Sequence, residues 1–179
     1  MSALERRRTL RGALGGAFAA AIWALAQPLD KLVFKTEYDD VELLGRALTT
    51  GEQWYPLGFA VHLWNGALFG ALYANVAPAM PVPSVVRGPA LALGEHLAFW
   101  PLTRVSDRFH PARDHLPGLA GNRRAFAQGA WRHLLYGTVL GELERRLNAA
   151  PETIRPAPDE AYASNGRGSL EAALPAQPT

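Results

Sequence analysis

The sequence predicts an all-α fold: an integral membrane four-helix bundle made of two repeated transmembrane hairpins. Three observations lead there, namely a repeated glycine–histidine motif, long uncharged apolar runs, and proline clusters that break those runs. Gly58, His62, Leu63, Gly66, Gly70 and Leu72 recur 71 positions later as Gly129, His133, Leu134, Gly137, Gly141 and Leu143. Both copies read G-x-x-x-H-L-x-x-G-x-x-x-G-x-L. On a helix, steps of four keep residues on one slowly drifting face, so each copy is a small-residue stripe with a histidine set into it. Glycine is a poor residue for a water-exposed helix, whereas in a bilayer small-x-x-x-small stripes let helices approach closely.

Crossing a hydrocarbon core of ~30 Å takes ~20 helical residues at ~1.5 Å each. Residues 1–11 form a basic N-terminus carrying Arg6, Arg7, Arg8 and Arg11. The first span then runs without charge from Gly12 to Leu29, and Leu32-Val33-Phe34 extends it. Tyr38 to Leu48 has Asp and Glu early and Arg46 late, which predicts a short amphipathic helix on the membrane surface or under the bundle. From Trp54 to Val86 there is again no Asp, Glu, Lys or Arg; Pro78, Pro81 and Pro83 break the run, leaving a second helix near Pro56 to Ala77. Trp54, Tyr55 and Tyr73 sit towards its ends, as interfacial aromatics do. The third span is expected from Gly88 to Thr103, interrupted by Glu95, and the fourth from Ala125 to Gly141, interrupted by Arg132. The membrane domain is thus placed at 12–149, and the Pro-, Ala-, Ser- and Gly-rich stretch 150–179 is expected to be disordered.

Two plainer readings compete. Basic residues, an apolar stretch and Ala24-Leu25-Ala26 look like a signal peptide with its cleavage site. Against removal, Pro28-Leu29 followed by Lys31 matches Pro101-Leu102 followed by Arg104, which makes the first span the repeat partner of the third. A soluble four-helix bundle is the other reading. Charge places both termini in the cytoplasm, through the N-terminal arginines and Arg145-Arg146. The third loop conflicts with that orientation, because Arg104, Arg108, Arg113, Arg123 and Arg124 outnumber Asp107 and Asp114 on the side it assigns to the exterior.

Composition excludes several functions. Mean hydropathy of −0.05 looks soluble only because polar termini dilute the apolar blocks. The net charge is +2 and the basic residues are scattered, so no nucleic-acid surface is expected. With no cysteine there is no disulfide, thiolate metal site, iron–sulfur cluster or cysteine nucleophile. None of G-x-S-x-G, H-E-x-x-H or a phosphate-cradling glycine loop occurs, and the chain is expected not to be an enzyme. No cofactor or metal is assigned. His110 and His115 stand in the Pro-rich third loop with Asp107 and Asp114, where solvation is the plainer reading.

The chemistry-bearing residues are the polar groups inside the spans: His62, Glu95, His96, Arg132 and His133. Ionisable groups at that depth are costly and seek partners. The simplest arrangement is a Glu95–Arg132 ion pair with the histidines completing its hydrogen bonds. Such a cluster can fix helix register and nothing more. It can also relay protons, since histidine titrates near neutrality and chains of Glu and His recur in proton pathways. A third reading takes duplicated His62 and His133 as bis-histidine haem ligands, with glycine leaving room for the macrocycle. Gly58, Gly66, Gly70, Gly129, Gly137 and Gly141 are assigned to helix packing.

Glu95-His96-Leu97-Ala98-Phe99-Trp100-Pro101-Leu102 resembles the H-x-x-x-[FW]-P-L helix of the YagU-like bacterial inner-membrane proteins. His62 to Tyr73 is similar to their His-to-Gly-Tyr helix, and Arg132-His133-Leu134 through Arg145-Arg146 to their closing helix, with Arg132 standing where the family has glycine. The resemblance spans Gly12 to Asn148 as an order of helices and short motifs. It implies a multi-pass inner-membrane protein, in contact with lipid and with itself or a membrane-protein partner, in a family linked to acid resistance. The expected role is therefore accessory, in envelope or acid and proton homeostasis. A proton- or small-solute-conducting bundle and a haem-binding membrane protein are the alternatives.

Overall fold

The computed structural model describes residues 3–148; the expected disordered tail lies outside the described residues. Every regular element among those residues is a helix, with no strand among them. Helix α1 runs Ala3–Phe34, α2 Asp40–Leu48, α3 Trp54–Val76, α4 Ser84–Phe99, α5 Thr103–Phe109 and α6 Arg123–Leu147.

The helix ends differ from the expected spans for local reasons. Helix α1 begins well before Gly12, because Ala, Leu, Glu and Arg are good helix formers and extend the helix backwards through the charged N-terminal sequence. It passes through Pro28 and stops at Phe34, where Lys35 turns into the left-handed region at φ 53°. Asp39 caps α2 by accepting from the Glu42 backbone N–H at 3.0 Å. Pro56 lies in the first turn of α3, where its missing donor is not needed, so the helix starts ahead of it. The third span ends earlier than expected: Pro101 tightens Trp100–Leu102 into a 3-10 turn, and α5 follows in what reads as loop. Asn122 caps α6 through the Arg124 and Ala125 N–H groups, and the helix runs on to Leu147 through Glu- and Arg-rich sequence.

Helix α1 packs on α3 and α6, α4 packs on α6, and α2 lies across α3. Helices α3 and α4, though consecutive, scarcely touch. The spatial order is therefore α3, α1, α6, α4, with a cleft between the outer two.

Glycine sets the closest crossings. A Cβ on Gly16 would stand 2.1 Å from the Gly66 carbonyl oxygen, and one on Gly88 would stand 2.0 Å from that of Gly137. Gly12 and Gly70 extend the first contact, and Gly141 extends the second. Gly58 meets the backbone of α2 at Val41 and Gly45, while Gly129 faces the His96 ring. Backbone meets backbone at Gly16, Gly58, Gly70 and Gly88, so no larger side chain fits there.

The interior between the helices holds Ala19, Ala20, Trp23, Tyr73, Ala92, Tyr136 and Leu140. Large aliphatic and aromatic side chains instead point outward: Leu14, Phe18 and Leu25 on α1, Trp64, Leu68 and Leu72 on α3, Leu97 on α4 and Trp131 on α6 are exposed. Two helical stretches, Ala3–Phe34 and Trp54–Ala79, are long and apolar enough to cross a membrane, and only 39% and 33% of their apolar windows are buried.

Candidate functional site

The site is built at the end of the molecule where α1 finishes and α3 and α6 begin. Trp23, Gln27 and Asp30 fall at i, i+4 and i+7 of α1, which brings all three to one buried face. Asp40, the first residue of α2, turns back onto that face: its backbone N–H donates to Gln27 Oε1 at 3.0 Å and its Oδ2 accepts from Trp23 Nε1 at 3.0 Å.

Arg132 fills the centre and is 0% exposed. Its Nε and Nη2 donate to the two oxygens of Asp30 at 2.6 Å each, and its Nη1 donates to Asp40 Oδ2 at 2.7 Å. Nη2 also donates to the Tyr38 carbonyl at 3.1 Å, while Gln128 Nε2 donates to Asp30 at 2.6 Å. A planar guanidinium can serve two carboxylates in this way; a point charge cannot. The expected Glu95–Arg132 pair is thus replaced by an Asp30–Arg132–Asp40 triad. Neighbouring helical residues point ~100° apart, so Arg132 turns to α1 and α2 while His133 turns to α4. There Glu95 Oε2 stands 2.7 Å from His133 Nε2.

Burial alone would raise the Asp40 carboxyl. The Arg132 guanidinium and the Tyr38 hydroxyl donated to Asp40 outweigh that and hold it below the usual carboxylate range. The same burial, with the Asp40 charge beside it, pushes the Tyr38 phenol well above its ordinary value. A carboxyl depressed in the folded state takes up its proton more readily when unfolded, so its stabilisation is complete above the unfolded value and disappears as pH falls through the folded one. Thermal unfolding in detergent should therefore be unchanged from neutral pH to about pH 4 and then weaken with acid. Asp40→Asn should lower stability at neutral pH and make the acid limb shallower; an equally steep limb in the variant would remove Asp40 as its source.

Beside the triad lies a cavity of about 390 Å³. His62, Glu95, His96 and His133 line it together with Asp40 and Tyr136; Arg132 stays behind the wall. Of the five polar residues expected in one cluster, four share this cavity. His62 Nε2 lies 3.1 Å from the Ala20 carbonyl, and His133 Nδ1 lies 2.7 Å from the Gly129 carbonyl. Both nitrogens of His133 thus face oxygen atoms, one from its own helix and one from Glu95. His96 is 3% exposed and its Nε2 has no hydrogen-bond partner. The Trp23 indole stands edge-on to His62 and His133, at 5.3 and 4.7 Å between ring centroids. The two histidines thus flank an indole and spend their nitrogens on carbonyls and Glu95, an arrangement that does not favour a haem between them.

Sequence reasoning missed Asp30, Asp40, Tyr38, Trp23, Gln27 and Gln128. The helical spacing of Trp23, Gln27 and Asp30 was the available signal, since polar residues seven positions deep into one stripe need partners. In the third loop, Asp107 accepts from the Leu119 and Ala120 N–H groups, and His110 Nε2 lies 2.9 Å from the Leu43 carbonyl. These polar groups build the loop. Among the described residues no group of three or more His, Asp or Glu is placed to hold a metal ion.

No protein-family profile, curated protein or solved structure matches this chain.

Proposed function

We propose that the chain is a multi-pass inner-membrane protein of the YagU-like type, built from two repeated hairpins and serving an accessory, non-enzymatic role in envelope or acid and proton homeostasis. The observation that carries the membrane assignment is the radial distribution of side chains. Leu14, Phe18 and Leu25 on α1 and Trp64, Leu68 and Leu72 on α3 face outward, whereas glycine, alanine and the charged triad face inward. A soluble core helix has the reverse polarity. In support of the repeat, Gly16 meets the Gly66 and Gly70 stripe as Gly88 meets the Gly137 and Gly141 stripe. The assignment is tested by carbonate washing of membranes: the protein should remain in the pellet, and release into the supernatant would end the membrane reading.

Proton handling is the second reading, favoured by the Glu95–His133 contact at 2.7 Å, which lines the cavity. Both residues belong to the same chamber as His62 and His96. Beyond it, Tyr73, Ala92, Tyr136 and Leu140 fill the space between the helices. The chamber is thus one-sided, which suits proton uptake and release better than passage across a bilayer. In proteoliposomes, wild-type protein should dissipate a pH gradient no faster than empty liposomes. Flux that Glu95→Gln abolishes in folded protein would instead make the chain a conductor.

A further inference from the structure

The segment from Leu102 to His110, which includes α5, has the reverse polarity of a helix on a soluble protein. Thr103, Ser106, Asp107 and His110 are spaced i, i+3, i+4 and i+7 and share the face turned to the protein. Thr103 Oγ1 donates to the Trp100 carbonyl, Asp107 accepts from the Leu119 and Ala120 N–H groups, and His110 Nε2 lies 2.9 Å from the Leu43 carbonyl. Leu102, Val105 and Phe109 are spaced i, i+3 and i+7 and share the other face, where they are 55%, 53% and 67% exposed. A helix on a soluble protein turns such a row inward. Here the row continues the exposed apolar surface of α4 at Leu97 and Phe99.

Positive charge borders the row. Arg104 and Arg108 lie one turn apart beside Val105 and Phe109, and both are exposed. The Arg108 guanidinium lies over the Phe109 ring, 5.2 Å from its centroid. Among the described residues the ion pair of this segment is Arg113–Asp114 at 3.8 Å, which leaves Arg104, Arg108, Arg123 and Arg124 without a carboxylate. From Thr103 to Arg124 the chain carries five arginines against two aspartates.

We infer that α5 lies in the membrane interface and binds anionic phospholipid there, with Leu102, Val105 and Phe109 among the acyl chains and Arg104 and Arg108 on the lipid phosphates. An interfacial helix needs an apolar face to enter the acyl boundary and cations along its edge for the head groups. Guanidinium meets phosphate oxygens through two parallel N–H bonds, and its methylene stem can lie along the apolar row. A zwitterionic head group brings its own ammonium, so surplus arginine selects lipids of net negative charge. The position agrees: Pro101 tightens the chain into a 3-10 turn at Trp100–Leu102, and α5 starts where α4 ends. The assignment rests on the reading that α4 crosses the bilayer.

The chain has no cysteine, so a single introduced thiol alone takes a label. Full-length Val105→Cys is labelled with bimane and placed in vesicles of phosphatidylglycerol and phosphatidylcholine in equal amounts, with bromine on the acyl chains of one lipid or the other. Leu68→Cys, at an exposed position midway along α3, is the control. The Leu68 label should be quenched equally by the two brominated lipids. The Val105 label should be quenched by both, several-fold more strongly by brominated phosphatidylglycerol. Arg104→Gln with Arg108→Gln should bring the two lipids to near parity at Val105, as should high salt, and circular dichroism checks that the variants fold. Quenching at Leu68 with none at Val105 would overturn the proposal and leave the membrane assignment standing, whereas no quenching at either position would remove both. Equal quenching of the Val105 label by the two lipids, unchanged in the double variant, would refute head-group recognition. A Val105 label shielded from both lipids and uncovered on dilution of the protein would give this face to a second copy instead.

Discussion

Arg132→Met should lower the unfolding free energy by about 3–5 kcal/mol, read in detergent by denaturant titration or as a fall in folded yield. The size follows from what the substitution leaves behind. Asp30 and Asp40 stay buried with a Gln128 amide, a Tyr38 hydroxyl and a Trp23 indole N–H as their remaining donors, and two adjacent carboxylates lose their shared cation. Arg132→Lys should recover only part of the loss, because one ammonium cannot hold the fork to Asp30 and reach Asp40 as well. Converting all three together, Asp30→Asn, Asp40→Asn and Arg132→Met, should be milder than Arg132→Met alone, since no uncompensated charge remains. A single Arg132→Met variant as stable as wild type would show that the triad contributes nothing to the fold.

Gly88→Ala should be strongly destabilising. The added carbon would stand 2.0 Å from the Gly137 carbonyl oxygen, and backbone cannot move aside as a flexible side chain can. Helices α4 and α6 must separate, at a cost of about 1–3 kcal/mol or more. Gly94→Ala on the same helix is the control, because its Cβ enters open space. There the substitution should be neutral or gain about 0.5–1 kcal/mol through helix propensity. Equal stability of the two variants would mean that α4 and α6 are not in backbone contact.

The glycines and the triad also mark where sequence reading works and where it stops. The glycine stripes are local facts: spacing of four on one helix names the contact face, and the face then finds a partner stripe at Gly12 and Gly16 or at Gly88. Helix boundaries were readable to within a turn or two except at the start of α1, which begins at Ala3 rather than Gly12, and in the third loop, where a new helix follows Pro101. The ion pairing was not readable, because choosing Glu95 or Asp30 for Arg132 depends on which way two consecutive side chains of α6 point once helices have packed. Asp40 was harder still. It belongs to an acidic, amphipathic stretch whose pattern suits a surface helix, and only the fold of α2 against α3 carries its first residue inward. His62, Glu95, His96 and His133 came together as a group because they stand at similar depths on neighbouring helices. The orphaned nitrogen of His96 is a three-dimensional fact without a trace in composition or spacing.

The triad also imposes a timetable on synthesis. Asp30 and Asp40 precede Arg132 by 102 and 92 positions, so a ribosome delivers both acids long before their cation exists. Until α6 arrives, the first helices carry two carboxylates without their arginine, and α6 in turn brings an arginine whose acceptors are already made. Each half supplies the charge that the other lacks. The last helix therefore acts as the keystone, and a chain that stops short of it leaves Asp30 and Asp40 without their cation.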